Sequence, residues 1–358
     1  MNPYLLLAAA EGCGPGMIPA LLDPAREPAE LLVTPPRLPR AAWNRLRSKH
    51  LRDVAAANHD RAIAAGLTEL TPSDLAYPDR LQRLPLRPNT LYARGDLTLL
   101  TNHRAGLAIV GSRTHSAYGE AAARDFAGAA ARAGVVLWSG LALGIDSIAH
   151  REALAHDTPT VAVLAGGLDT IYPQCHAELA DQIVDGGGLL ISEAPPGLRA
   201  QRGHFPRRNR ILAAAARAVL VVEAGLRSGS LHTVRFAADF GVPVFAVPGP
   251  YTSPRSIGCH TLIAQGGSIA TSPEELLRNL GIEASLRDPD SSTRFFEDAA
   301  DQEAVLRELL QGPRPMDLVA RETGLAPARF LAAVLSLTEE RRIHQLPGDL
   351  LAIVRTNS

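Results

Sequence analysis

Between Ala194 and Val222 the chain carries Arg199, Arg202, Arg207, Arg208, Arg210 and Arg217, with His204 and the pair Phe205-Pro206, and no acidic residue. Guanidinium forks match phosphate oxygens, and a flat ring can receive a base. Together they are what an unpaired polynucleotide needs. The competing reading is a solvated loop whose arginines pair with Glu193, Glu223 or helix ends. On that basis Arg210 is expected to be structural, and Arg208 is open to either role. Arg202 is assigned to phosphate, as is Arg113 further upstream.

A second set of residues points to the same chemistry. Gly111-Ser112-Arg113-Thr114-His115-Ser116, Ser139-Gly140-Leu141-Ala142, Gly166-Gly167-Leu168-Asp169 and Ser228-Gly229-Ser230 each follow a short apolar run and precede a helical pattern. Exposed N–H groups at the positive end of a helix dipole make such loops anion sites. Several at one sheet edge suggest a surface for more than one phosphate. The candidate contacts are therefore Gly111, Ser112, Arg113, Ser139, Gly140, Leu141, Arg202, Phe205, Arg207, Arg208, Asn209, Ser228, Gly229 and Ser230.

Other chemistries are excluded by residue type or spacing. The single lysine, Lys49, lies between Ser48 and His50, so no Walker A loop exists and a lysine Schiff base has only one place to form. Gly111-Ser112-Arg113 is not a dinucleotide fingerprint, and no Gly-x-Ser-x-Gly elbow occurs. Asp146 and His150 share a helical face and could form a catalytic pair, but a dipole-facing Asp and a packing His are the favoured account. Cys13, Cys175 and Cys259 are too scattered for a zinc site or a disulfide framework. No metal or cofactor is expected, and a reducing cytoplasm is the expected location.

These residues need a scaffold. Leu107–Val110, Val135–Trp138, Thr160–Leu164, Leu189–Ile191, Val219–Val222 and Val244–Val247 read as strands, separated by stretches of helical length. The alternation predicts an α/β domain with a parallel sheet covered on both faces, whose ligands bind beyond the carboxyl ends of the strands. Residues 1–80 read as a small helical domain, with a hairpin around Gly12-Cys13-Gly14-Pro15-Gly16 that packs as a helical module. Residues 81–284 hold the sheet, and 285–299 form a Ser/Asp/Arg-rich linker. Residues 300–358 follow a winged-helix pattern: Asp301–Leu310, Met316–Glu322 and Ala328–Leu337 as helices, then a hairpin around Pro347-Gly348.

The chain has 358 residues, 46% of them hydrophobic, and a net charge of −1. No apolar run reaches the ~20 residues of a membrane helix, and no signal peptide is expected. Basic and acidic counts are 9 and 9 in residues 1–80, 18 and 15 in 81–280, and 9 and 13 in 281–358. The middle is mildly positive. The tail has the wrong sign for a phosphate-binding helix-turn-helix and reads as a protein-contact or auxiliary module.

Taken in order, Gly111-Ser112-Arg113 with Tyr118-Gly119, Ser139-Gly140-Leu141-Ala142 through Gly144-Ile145-Asp146 and Ala149-His150, Gly167-Leu168-Asp169, Tyr172-Pro173, Ser192-Glu193, Phe205-Pro206-Arg207-Arg208-Asn209-Arg210-Ile211, Val222-Glu223-Ala224, Ser228-Gly229-Ser230-Leu231, Ala246-Val247-Pro248-Gly249 and Gly258-Cys259 closely resemble the DprA (Smf) family, the DNA-processing proteins of bacterial transformation. Departures from the family pattern fall at Cys175-His176, Ala194 and His260. The resemblance implies an extended Rossmann-like domain that binds single-stranded DNA, forms a homodimer and loads the RecA recombinase, with no covalent chemistry. It implies phosphate contacts from Arg113 and Arg202 and a base contact from Phe205. The dimer and recombinase surfaces would lie near Val234–Phe240 and Leu262–Gln265. The rivals are a nucleoside monophosphate phosphoribohydrolase using Glu223, and a duplex-reading regulator using the C-terminal helices.

The acidic tail generates a first prediction. Truncation beyond about residue 290 should leave most single-strand affinity intact in a filter-binding titration; near-complete loss would assign the strand to the tail.

Overall fold

The computed structural model of the protein describes residues 2–11, 48–84, 86–101, 106–282, 301–310, 312–325, 327–339, 342–346 and 350–354. The expected hairpin at 12–22, the linker at 285–299 and the turn at 347–349 lie outside them. The chain forms two compact units, residues 1–284 and 285–358.

The first unit begins with α1 (Pro3–Glu11), α2 (Lys49–Ala64), β1 (Thr68–Leu70), α3 (Asp79–Gln82), β2 (Leu91–Gly95) and α4 (Thr98–Thr101). The α/β alternation follows: β3 (Gly106–Val110), α5 (Ala117–Arg132), β4 (Val136–Ser139), α6 (Ile145–Ala155), β5 (Thr160–Leu164), α7 (Ala177–Asp185), β6 (Leu189–Ser192), α8 (His204–Ala215), β7 (Ala218–Val221), α9 (Ser230–Asp239), β8 (Val244–Ala246), α10 (Ile257–Ala264), β9 (Ser268–Ile269) and α11 (Pro273–Asn279). Among the described residues no helix is long and apolar enough to cross a membrane.

The nine strands form one sheet in the order β1-β2-β6-β5-β4-β3-β7-β8-β9. From β6 to β9 all neighbours are parallel. The chain builds outward from β3 through β4, β5 and β6, then returns to the other side of β3 with β7. This is the Rossmann-like order extended by one strand. It opens a crevice between β3 and β7, where neighbouring crossovers leave in opposite directions. Every residue of β3, β4, β5, β6 and β7 is buried, because helices cover both faces. Helix α5 lies close to the sheet because its inner face is small: Ala122, Ala123, Ala127 and Ala130 are all buried.

Two strands were not expected. β1 and β2 are antiparallel to each other, and β2 is antiparallel to β6. The sheet therefore begins at Thr68, inside the segment read as purely helical to residue 80. Ala62 and Leu67 pack with Tyr92 and Leu190 in one core cluster, so α2 leans on the sheet rather than standing apart. The physical reason is length: β1 has three residues, and β2 has three apolar ones before Arg94, whose guanidinium reaches Asp181 at the surface.

The second unit has a helix over residues 301–309, then β10 (Arg314–Pro315), α13 (Met316–Thr323), α14 (Pro327–Glu339), β11 (Ile343–Leu346) and β12 (Leu350–Ile353); the helix over 301–309 is α12. Its strands pair in the order β10-β12-β11. Val305, Val319, Phe330, Leu337, Ile343 and Leu351 fill its core. Three helices and a small antiparallel sheet make this a winged helix.

One glycine is decisive for the site. Gly144 has φ +80°, and a Cβ there would sit 2.3 Å from the Ser112 carbonyl oxygen. Gly144→Ala should lower stability by about 1–3 kcal/mol, read as a reduced urea midpoint; an unchanged midpoint would mean that the β4–α6 turn has another conformation.

Candidate nucleic-acid interface

A cleft of about 980 Å³ opens at the carboxyl end of the sheet, at the β3/β7 switch point. The β3–α5 loop supplies Gly111, Ser112, Arg113 and Thr114, and the β7–α9 loop supplies Arg227, Ser228, Gly229 and Ser230. The start of α8 brings Arg202 and Phe205 to the same walls. The Arg113 guanidinium lies 5.0 Å from the centre of the Phe205 ring, in cation–π range. Tyr172, half exposed, meets the edge of that ring at 6.0 Å between centroids. The three residues singled out from the sequence therefore converge. Arg113, Arg202 and Arg227 are exposed and form no salt bridge with another described residue.

The loop that carries Arg202 is tied from below. The Asp169 carboxylate accepts the Gly197 N–H at 2.8 and 2.9 Å, and the Leu198 carbonyl accepts the Gly167 N–H at 2.9 Å. So the glycine loop after β5 anchors the arginine segment instead of holding a phosphate.

The loop after β4 is also occupied from within. Leu141 has φ +56°, and its side chain is fully buried. This left-handed turn lets the N–H groups of Gly140 and Ala142 converge on Asp146 Oδ2, at 3.1 and 3.4 Å. Such a pair of amides is an anion nest; its anion is a protein carboxylate. Arg208 lies alongside, its Nη1 donating to the carbonyls of Gly140 (2.5 Å) and Val163. Burial pushes the Asp146 carboxyl up, opposed by Arg208 and the two amides. Burial pushes the Arg208 guanidinium down to about 10, opposed by Asp146, so it stays charged at neutral pH.

Several expected contacts are thereby corrected. Ser139 is fully buried and its hydroxyl donates to the Ile109 carbonyl at 2.6 Å. The amide of Gly140 is engaged by Asp146, Leu141 is core, and Arg208 is buried beneath the cleft. Asn209 is buried too, with Nδ2 donating to the Gly229 carbonyl at 3.3 Å, which fixes the α9 entrance. Arg207 turns to Glu193 at 3.5 Å, and Arg210 pairs with the same carboxylate at 2.5 Å. Of the expected contacts, Gly111, Ser112, Arg113, Arg202, Phe205, Ser228, Gly229 and Ser230 line the cleft, with Arg208 and Asn209 nearly buried at its floor.

Glu223, the carboxylate of the hydrolase reading, is 3% exposed. Its Oε2 accepts the Ser116 N–H (3.1 Å) and hydroxyl (2.6 Å), so it serves the N-terminus of α5. It is not part of the cleft wall. At the cleft end of α9 the N-cap Gly229 has no side chain, the Ser228 and Ser230 hydroxyls bond each other at 2.7 Å, and the N–H groups of Ser230, Leu231 and His232 donate to Ser228 Oγ and to the Ser228 and Gly229 carbonyls at 3.2–3.4 Å.

Two wall arginines escaped the sequence reading. Arg227 carried a local signal, standing next to Ser228-Gly229-Ser230. Arg255 carried none: it arrives from beyond β8, and its Nε donates to the Thr114 carbonyl at 3.0 Å. Among the described residues no cluster of His, Cys, Asp or Glu could hold a metal ion.

His150 is core. Thr160 Oγ1 donates to the Leu137 carbonyl at 2.7 Å, so His150 Nδ1–H must be the donor in the 2.9 Å contact to that oxygen. Nε2 is left buried without a partner, and burial pushes the imidazole down to about 3, with His176 and Arg208 adding to the effect. The unfolded group titrates near 6.5. Between those values the unfolded chain holds the extra proton, so stability falls as pH drops, by up to about 1.4 kcal/mol per pH unit. The urea midpoint should fall below pH 6.5, and His150→Asn should flatten that limb; an identical slope in the variant would assign it to another group.

Comparisons with known proteins identify the family. Residues 68–281 match the family model described as DNA recombination-mediator protein A, and residues 289–349 match the DprA winged helix domain. The chain is 41% identical over 292 residues to Protein Smf of Escherichia coli, covering 80% of this chain and 78% of that protein. It is 38% identical over 224 residues to DNA processing protein DprA of Bacillus subtilis, covering 62% and 75%. The structure of DNA processing protein A from Streptococcus pneumoniae aligns with a TM-score of 0.63 at 32% identity, covering 78% of this chain and 97% of that one. That of the Helicobacter pylori protein, which addresses its single-stranded DNA binding mode, aligns at 0.54 and 28%, covering 60% and 97%. With its α/β sheet domain, its winged helix and a family match over most of the sheet, the chain belongs to the DNA recombination-mediator protein A (DprA, Smf) family.

Proposed function

We propose that this protein holds single-stranded DNA in the switch-point cleft, does no covalent chemistry on it, and presents it to a RecA-class recombinase during recombination or transformation. The observation that carries this reading is the convergence of Arg113, Arg202 and Arg227, unpaired with any described carboxylate, in one cleft with the Phe205 ring, over which Arg113 lies. Phosphates meet the arginines. A base meets Phe205 and Tyr172, where stacking contributes about 1–3 kcal/mol. A duplex is disfavoured because its bases are already stacked and its backbone is stiff.

A homodimer is part of the proposal, since two cleft copies on one strand gain avidity. The inner residues of α9, Val234 and Ala237, are buried against the sheet, so only its outer face is available. Ile257 of α10 and the exposed edge strand β9 with Ile269 lie on the same side of the sheet order. We assign the winged helix to protein contact. In α14, Arg329 is held bidentately by Asp301 at 2.8 and 2.9 Å, while Leu331 and Leu335 are exposed.

Arg202→Ala should weaken oligothymidylate binding by about 1.5–3 kcal/mol and Phe205→Ala by about 1–3 kcal/mol in anisotropy titrations at fixed salt. The salt slope should be near −0.7 per phosphate contacted. Wild-type affinity in both variants, or base release from nucleoside monophosphates, would overturn the reading.

A further inference from the structure

A second cavity, of about 1180 Å³, lies at the opposite edge of the sheet. It is bounded by α3 and the segment after it, and by the ends of α8, α9 and α11. Arg217 and Pro243 in its wall immediately precede β7 and β8, so it opens at the amino ends of the strands, away from the cleft.

Its chemistry is not that of a packing defect. Four guanidinium groups line it, from Arg80, Arg83, Arg210 and Arg217, against one carboxylate, Asp239. Arg80 is anchored by donating to the Ala216 carbonyl at 2.6 Å. Arg83 and Arg217 are exposed, with no salt bridge to a described residue. Arg210 is 6% exposed; Nη2 is paired with Glu193, and Nη1 is buried with no hydrogen-bond partner. Arg210 Nη1 is closed off from the cavity, so this guanidinium adds to the positive field there without offering a contact. Beside these charges the Phe236 and Phe240 rings are stacked, 6.1 Å apart and 16° from parallel. Leu84 and Leu86 complete an apolar wall.

We propose that this cavity is a second nucleotide site, taking a phosphate on Arg83 and Arg217 and a base against the Phe240 side. Several arginines select phosphate over a neutral group. The flat apolar wall selects a ring over an extended peptide. The volume, at the upper end for small-ligand pockets, accommodates a nucleotide with room for a neighbour. The occupant is either a free nucleotide or a later part of the strand held in the cleft. For the second source, α8 runs from the cleft, where Phe205 stands, to this cavity, where Ala214 stands, and the exposed Arg217 follows beyond its end. That source rests on the proposed function; the first does not.

The test uses the full chain, with a short oligothymidylate of about four nucleotides, a long one of about 20, and dTMP or ATP as the free nucleotide. The Arg83→Ala/Arg217→Ala double variant alters exposed side chains, and an unchanged urea midpoint verifies its fold. If the strand occupies the cavity, this variant loses about tenfold or more in affinity for the long oligomer and keeps wild-type affinity for the short one. If a free nucleotide occupies it, the wild type and Arg202→Ala bind the mononucleotide saturably and the double variant loses that binding. Unchanged binding of the long oligomer and of mononucleotides in the double variant overturns the site, as does an equal loss for short and long oligomers, which would mark a diffuse charge effect. An Arg202→Ala protein with unchanged short-oligomer affinity would overturn the cleft instead and leave this site standing.

Discussion

Three inward-turned carboxylates make the cleft positive. Asp146 is held by the Gly140 and Ala142 amides beside Arg208, Glu223 by Ser116, and Glu193 by Arg210. Each is nearly removed from solvent. Facing outward, any of them would pair with Arg113, Arg202 or Arg227 and cancel the field that attracts a polyanion. Facing inward, they satisfy helix ends and a buried guanidinium. Losing Glu193 would leave Arg210 as an uncompensated buried charge, at a cost of about 3–5 kcal/mol.

The same constraint explains why so many glycine loops contribute so little direct contact. A helix N-terminus binds whichever anion reaches it first. At α5 and at the β4–α6 turn that anion belongs to the protein, and the loop becomes scaffold. At α9 the first amides donate to Ser228 Oγ and to neighbouring carbonyls, so no described carboxylate neutralises the dipole end that faces the cleft. The scaffold loops still matter to the site. Leu141 in its left-handed conformation seats Asp146, Asp146 steadies Arg208, and Arg208 ties the start of α8 to the β4 and β5 ends. Phe205 and Arg202 ride on that start.

The Phe205 ring is presented rather than free. Arg113 lies over one face and Tyr172 meets its edge, so the ring is oriented before any base arrives. Pre-orientation lowers the entropy lost on binding. It also makes Arg113 bifunctional, since a guanidinium stacked on a ring keeps its N–H edge available for phosphate. At the far edge of the sheet the charge is less completely balanced internally, as the unpartnered Nη1 of Arg210 shows.

The amino-acid sequence by itself determined the class of the fold and the identity of the central residues. Six short apolar runs, separated by stretches of helical length, specify parallel strands because a sheet buried on both faces demands apolar residues throughout. Arg113, Arg202 and Phe205 were legible because no carboxylate stands near enough in sequence to explain them. Strands β1 and β2 were not legible: β1 has three residues, β2 ends its apolar run at Ala93 before Arg94, and β2 joins the sheet through β6, far along the chain. Only the tertiary structure decided which anion each loop holds. Sequence chemistry identifies an anion site, but Gly140 meets Asp146, and Ser116 meets Glu223, through contacts that depend on how the crossovers pack. The roles of Arg208 and Arg255 were settled the same way. A guanidinium is structural or exposed according to the carbonyls and carboxylates that folding brings beside it, and those neighbours are distant in sequence.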